Sequence, residues 1–162
     1  MLNMGSIARG AKISAVMGAM LFVAACAQTK QGGVSGSNAQ PGTTQDFVVN
    51  VGDRVFFSED QSSLSPAARA TLDKQAQWLN QYRSYTVTIE GHADERGTRQ
   101  YNIALGARRA NSAKDYLVAR GVASNRVRTI SYGKERPVAV CNNDSCWSQN
   151  RRAVTVLNNV TN

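Results

Sequence analysis

Apolar and polar residues alternate at Tyr85, Val87 and Ile89 against Thr86, Thr88 and Glu90, the period of two expected of a half-buried strand over 85–90. The same reading predicts strands at 127–132 and at 152–157, the latter with Val154 and Val156 on one face, and a short core strand at 54–57 with Val55 and Phe57 inward. Ahead of it Phe47, Val49 and Val51 also alternate and lead into the turn residues Gly52 and Asp53, which predicts a short strand or hairpin there. Between the strands the period changes. Leu72, Ala76 and Leu79 recur at helical spacing to about Tyr82, behind a start signal in which Ser65 can cap free amides and Pro66 lacks the amide that would need capping. A longer helix is predicted over 99–120, with Ala113, Tyr116 and Leu117 on its inner face and Gly121 as its C-terminal cap. Strand, helix, strand, helix, strand, strand gives two right-handed crossovers. The economical architecture is an α+β domain over 46–162, a small mixed sheet covered on one face by two helices.

The N-terminus reads differently. Arg9 and Lys12 precede an uncharged apolar run over 13–25, too short to span a bilayer and of the length of a signal-peptide core. Val23, Ala24, Ala25 and Cys26 then resemble the lipobox of bacterial lipoproteins, which implies a leader over 1–25, removed before a lipidated Cys26. Acyl chains contribute about 0.8 kcal/mol per buried methylene, so such an anchor is effectively permanent. By resemblance to lipoprotein sorting, the absence of Asp at the second mature position favours the outer membrane. Residues 26–45 are dominated by Gly, Ser, Thr, Gln and Asn and are read as a tether, spanning roughly 25 Å as a coil and about 65 Å extended.

Charge and cysteine use narrow the setting. The chain carries a formal net charge of +8 and stays basic without Arg9 and Lys12. Its basic residues are scattered with at most two adjacent, and export makes a nucleic-acid partner a poor fit. An anionic wall polymer suits both the charge and the compartment. Beyond Cys26, Cys141 and Cys146 form a pair that an oxidising compartment would hold as a disulfide, contributing roughly 2 kcal/mol across so short a loop. With His92 the only histidine, a four-ligand zinc site is not available.

Chemistry concentrates in residues 91–109, GHADERGTRQYNIALGARR, at the junction of the second strand and the longer helix. Gly91 and Gly97 bracket a turn that a ligand could approach closely. Helical spacing puts Asn102, Leu105 and Arg109 on one face, back along the loop, within reach of Asp94. Two readings stand open from the residues: a receptor for a group carrying both charges, or a solvated Asp94–Arg109 ion pair tying loop to helix. His92 is expected to be a hydrogen-bonded structural residue, and Arg151 and Arg152 to secure the loop and the sheet edge.

The motifs EGHADERGT, YN then LG then RRA, SYGKERP and NRRA resemble, in order and spacing, the peptidoglycan-associated members of the OmpA-like C-terminal domain family, over about residues 54–157. The resemblance implies a βαβαββ sandwich, no cofactor, no catalysis, and binding of peptidoglycan through the meso-diaminopimelate of its stem peptide. The matching positions are Asp60, Asp94, Thr98, Asn102, Leu105 and Arg109. It also implies partnership with TolB and the Tol complex, in envelope integrity and cell division. Glu59 departs from the pattern, since relatives often carry an aromatic residue there, and CNNDSC is not general to the family. The main rival is a wall hydrolase using His92, Asp94 and Glu95, for which neither a metal site nor a nucleophile with its base is visible. A motor-stator or porin relative would need a spanning helix or about eight amphipathic strands before the domain.

Overall fold

The computed structural model describes residues 39–158. The leader, Cys26 and most of the tether lie outside the described residues. Four strands, β1 (Arg54–Phe56), β2 (Thr86–His92), β3 (Val127–Gly133) and β4 (Arg152–Asn158), form one sheet in the order β1-β4-β2-β3. β2 and β3 run parallel, and β4 is antiparallel to both β1 and β2. The last strand thus closes the sheet by inserting between the first two. The helices are α1 (Thr44–Asp46, continued by a π-helical turn over Phe47–Gly52), α2 (Pro66–Gln81), α3 (Arg99–Ala119) and α4 (Asp144–Asn150).

Alternation decides which face is dry. Val87 and Ile89 of β2, with Val55, Val127 and Ala153, are buried against Leu72, Ala76 and Leu79 of α2 and Ala110, Ala113 and Leu117 of α3. Each buried leucine contributes about 2 kcal/mol by removal from water. Ser65 Oγ accepts the Ala68 amide at 3.1 Å, with proline in the first turn of α2. Gly121 ends α3 with φ +93°, beside a bond from the Val122 amide to the Leu117 carbonyl at 3.1 Å. Gln75, fully buried inside α2, donates to the Gly52 carbonyl at 2.7 Å and accepts from Thr155 Oγ1 at 2.8 Å, which ties α2 to β4.

Three expectations are corrected. Residues 47–51 are helical, not a strand. Phe47 and Val51 turn toward the core while Val48 and Val49 face solvent, and Asp46 fixes the turn by accepting from Trp78 Nε1 at 2.8 Å, the Gly42 amide at 2.9 Å and Asn50 Nδ2 at 2.8 Å. The domain therefore begins before residue 46, since Ala39 is buried and Tyr85 donates to the Gly42 carbonyl at 2.9 Å. Gly91 is not a turn residue; it lies within β2, where its missing side chain lets α3 approach at Gly106. A further element, α4, follows the SYGKERP loop, capped by Asn143, whose side chain accepts the Ser145 amide at 3.0 Å.

Candidate functional site

β2 ends at His92 and α3 starts at Arg99, and the loop between them forms the rim of a cavity of about 290 Å³. Asp94, Arg96 and Gly97 come from this loop, Asn102, Leu105 and Arg109 from the first turns of α3, and Glu59 and Asp60 from the β1–α2 loop. Asp60 has φ +53°, a left-handed conformation rare for a residue with a side chain. Its carboxylate accepts from the Tyr101 hydroxyl, and Tyr101 also lines the cavity.

Arg109 sits at the back of the cavity and is fully buried. Its Nε donates to the Gln61 carbonyl at 2.8 Å, one terminal nitrogen to the His92 carbonyl at 2.8 Å and the other to the Ser58 carbonyl at 3.1 Å. The guanidinium also lies 5.3 Å from the centre of the Phe57 ring. It therefore stitches the β1–α2 loop to the end of β2. A guanidinium has five N–H groups, so these three bonds leave two N–H groups not used by the carbonyls. Burial lowers the Arg109 pKa to about 10, partly opposed by the negative charges of Asp94 and Asp60. The group remains charged at neutral pH.

Asp94 is buried and held by other arginines. Arg96 donates to it from a terminal nitrogen at 2.7 Å, from Nε at 3.3 Å and from its backbone amide at 3.2 Å, and Arg151 approaches at 3.5 Å. Burial raises its pKa, but these donors outweigh that and keep the carboxyl below its ordinary value. The proposed solvated pair between Asp94 and Arg109 is thus not what the fold makes: Arg109 spends its bonds on carbonyls, and Asp94 spends its own on Arg96 and Arg151. Both still face one cavity. Arg96 is itself steered by Glu59 at 2.8 Å and by the Trp147 ring, whose centre is 4.1 Å away.

Asp60, Asp94, Asn102, Leu105 and Arg109 all line this one cavity. Asn102 is buried and donates to the Arg96 carbonyl at 2.7 Å, so it shapes the loop as well as the wall. Thr98 differs. It is the N-cap of α3, its hydroxyl accepts the Tyr101 amide at 3.2 Å, and it is not part of the cavity wall. Arg96, Tyr101 and Glu59 line the cavity and were not singled out as ligand residues.

His92 is buried, but neither ring nitrogen has a hydrogen-bond partner, against the expectation of a hydrogen-bonded residue; Glu90 Oε2 approaches Nε2 only to 3.5 Å. Burial, then the nearby charges of Arg152 and Arg136, lower its pKa to about 4. His92, Asp94 and Glu95 do not converge on one cavity. Among the described residues no group of three or more His, Cys, Asp or Glu could hold a metal. Arg151 donates to the Phe57 carbonyl at 3.2 Å and to Asp144 at 3.0 Å, and Arg152 to the carbonyls of Asn150 and Arg136. Cys141 and Cys146 are joined by a disulfide, with their Cα atoms 5.7 Å apart.

Comparison with known proteins defines the class. The sequence model of the OmpA family matches residues 56–152. A protein from Mesorhizobium japonicum called peptidoglycan-associated lipoprotein is 62% identical over 146 residues, covering 86% of this chain and 87% of that one. One of the same name from Brucella melitensis biotype 1 is 57% identical over 165 residues, covering 98% of each. The chain belongs to the OmpA family, in its peptidoglycan-associated lipoprotein branch. This is a family of binding domains and not of enzymes. The crystal structure of the peptidoglycan-associated lipoprotein from Burkholderia pseudomallei superposes with a TM-score of 0.64 at 38% identity, over 65% of this chain and 90% of that one. The C-terminal domain of Helicobacter pylori MotB shares the fold alone, with a TM-score of 0.62 at 18% identity, over 67% of this chain and 85% of that one.

Proposed function

We propose that the domain binds peptidoglycan through the diaminopimelate residue of its stem peptide, and that lipid on Cys26 ties it to the outer membrane. The protein then tethers that membrane to the wall without a covalent bond. The observation that carries this reading is the buried Arg109 guanidinium facing the same cavity as the carboxylates of Asp94 and Asp60. The side-chain end of diaminopimelate presents a carboxylate and an ammonium on one carbon. The two Arg109 donors left over by the carbonyls suit the first, the carboxylates suit the second, and the amides at the start of α3 can add donors to the anion. Leu105 supplies an apolar wall for the methylenes between the two ends of the ligand. The names of the most similar relatives support the polymer.

Lysine in the same stem position keeps an ammonium and lacks the second carboxylate. Its complex would leave Arg109 without an anion in a partly dry site, which typically costs about 2 to 5 kcal/mol, roughly thirty to several thousand fold in affinity. Calorimetric titration of the domain with matched diaminopimelate and lysine peptides tests the reading, and equal affinities would refute it. The anchor has its own test: Cys26→Ser should no longer fractionate with outer membrane when wall has been digested. The same reading makes the protein part of the Tol-Pal system, with TolB as a periplasmic partner in envelope integrity and cell division. Failure of immobilised domain to retain purified TolB would remove that partner.

A further inference from the structure

A second cavity, of about 350 Å³, also borders the site loop, through Glu95. Pro137, Ala139 and Val140 give it an apolar wall, the Cys141 end of the disulfide continues it, and Lys134 and Glu95 stand at its edge. Val140 is 88% exposed and Val138 54%, so two apolar side chains within three residues are held out to solvent. They are held there firmly. The buried Asn150 side chain accepts from the Val138 amide at 2.9 Å and the Ala139 amide at 3.3 Å and donates to the Ala139 carbonyl at 2.8 Å, while the disulfide closes the segment beyond. A surface fixed before binding loses little entropy when it is occupied.

Lys134 supplies a charge at the edge of this wall. Its ammonium donates to the Glu95 carbonyl at 3.0 Å and to the Gly97 carbonyl at 2.7 Å, which uses two of its three N–H groups and aims the charge from a fixed position. The two cavities share one wall. Asp94, Arg96 and Gly97 line the first and Glu95 the second. Because Glu95 and its two neighbours line different cavities, one loop borders both, and each further residue of extended ligand chain adds about 3.3 to 3.6 Å of reach.

We infer that this cavity is a second subsite for the same polymer and takes the residue that follows diaminopimelate in the stem peptide. That residue is alanine, with its methyl group against Pro137, Ala139 and Val140 and its terminal carboxylate on Lys134. The inference rests on the diaminopimelate reading of the first cavity. It makes the domain sensitive to how far the stem peptide has been trimmed.

The experiment compares, on the mature domain, a stem peptide ending at diaminopimelate with one extended by a single D-alanine. One buried methyl and one charged hydrogen bond, less the cost of ordering the added residue, predict about tenfold tighter binding of the longer peptide. Val140→Asn should cut that gain several-fold. Amidating the alanine carboxylate should cut it as well, with no change to the protein. Lys134→Gln should remove the carboxylate's share of the gain. Equal affinity of the two peptides for the unaltered domain, or an undiminished gain in both Val140→Asn and the amidated peptide, overturns the subsite and leaves the first cavity's role intact. Absence of binding by either peptide overturns both readings.

Discussion

Gly91 of β2 and Gly106 of α3 touch through their backbones: a Cβ built on Gly91 would stand 1.8 Å from the Gly106 carbonyl oxygen. A Cβ on Gly106 would stand 2.4 Å from Ser131 Oγ, and Ser131 donates from that oxygen to the Ile103 carbonyl at 2.7 Å. The helix therefore lies directly on the strand, and this contact sets how far Asn102, Leu105 and Arg109 project over the end of β2. Gly91→Ala must push backbone from backbone, because no flexible side chain is there to give way. We expect a loss of about 3 kcal/mol, at the upper end of overpacking effects, in urea unfolding. Diaminopimelate binding should weaken with it. Unchanged stability would mean that α3 is free to shift.

The contact also shows what the sequence could and could not disclose. The periods of β2, α2 and α3 were plain because each buries one stripe of a regular element, and Ser65 with Pro66 announced a helix start. Gly91 was visible only as a glycine, since its reason is a tertiary contact with a residue fifteen positions on. Phe47, Val49 and Val51 alternate as a strand would, yet Phe47 and Val51 are also one helical turn apart, and the choice was made by Asp46 meeting Trp78 across the fold. Asp60, Asp94, Asn102, Leu105 and Arg109 line one cavity, whereas Thr98 does not and Arg96 and Tyr101 do. The partners of Arg109 were not legible, because backbone carbonyls carry no sequence signature.

That Asp46 contact is itself testable. Its carboxylate accepts three hydrogen bonds, led by the Trp78 indole, and these lower its pKa. Asp46→Ala leaves a buried indole N–H without its acceptor and removes a charged hydrogen bond worth about 1.5 to 3 kcal/mol. The expected result is a stability loss of that order, with a change in tryptophan emission, since Trp78 packs against Phe47, Tyr82 and Tyr85. Ligand affinity should stay as it was, because α1 is not part of the cavity wall.

Acid should act on the fold through His92. Its folded pKa is depressed to about 4 from an ordinary 6.5, so the unfolded chain binds a proton that the folded one refuses over that interval. Stability from this group is fully present above about pH 6.5 and falls as the pH drops toward 4, by about 2 kcal/mol at pH 5. Asp94, with a lowered carboxyl pKa, contributes in a different window: its share is present above the ordinary carboxylate value and is lost only as the pH falls through its lower folded value. Urea midpoints for the domain and for His92→Asn between pH 7 and pH 4.5 check this. The slope between pH 6.5 and 5 should flatten in the variant, and an equal slope in both would remove His92 as its source.

If Arg109 binds the anion as proposed, it has two duties, and binding assays alone would confuse them. Its three carbonyl bonds join the 58–61 loop to the end of β2, and the side chain also lines the cavity. Lysine keeps the charge but offers one compact ammonium on a flexible stem, which cannot span three acceptors arranged around a planar fork. Arg109→Lys should therefore lose about 2 to 4 kcal/mol of stability, from buried carbonyls left without donors, and bind diaminopimelate peptides far more weakly. Asp94→Asn keeps the shape and the Arg109 bonds. It should weaken binding through the ammonium with a smaller stability loss, since Arg151 still has Asp144 at 3.0 Å. The informative quantity is the ratio of the two losses for each variant, from urea unfolding beside calorimetry. If Arg109→Lys is as stable as the unaltered domain, the carbonyl bonds do not hold the loop. If it also binds normally, the guanidinium is not the anion receptor.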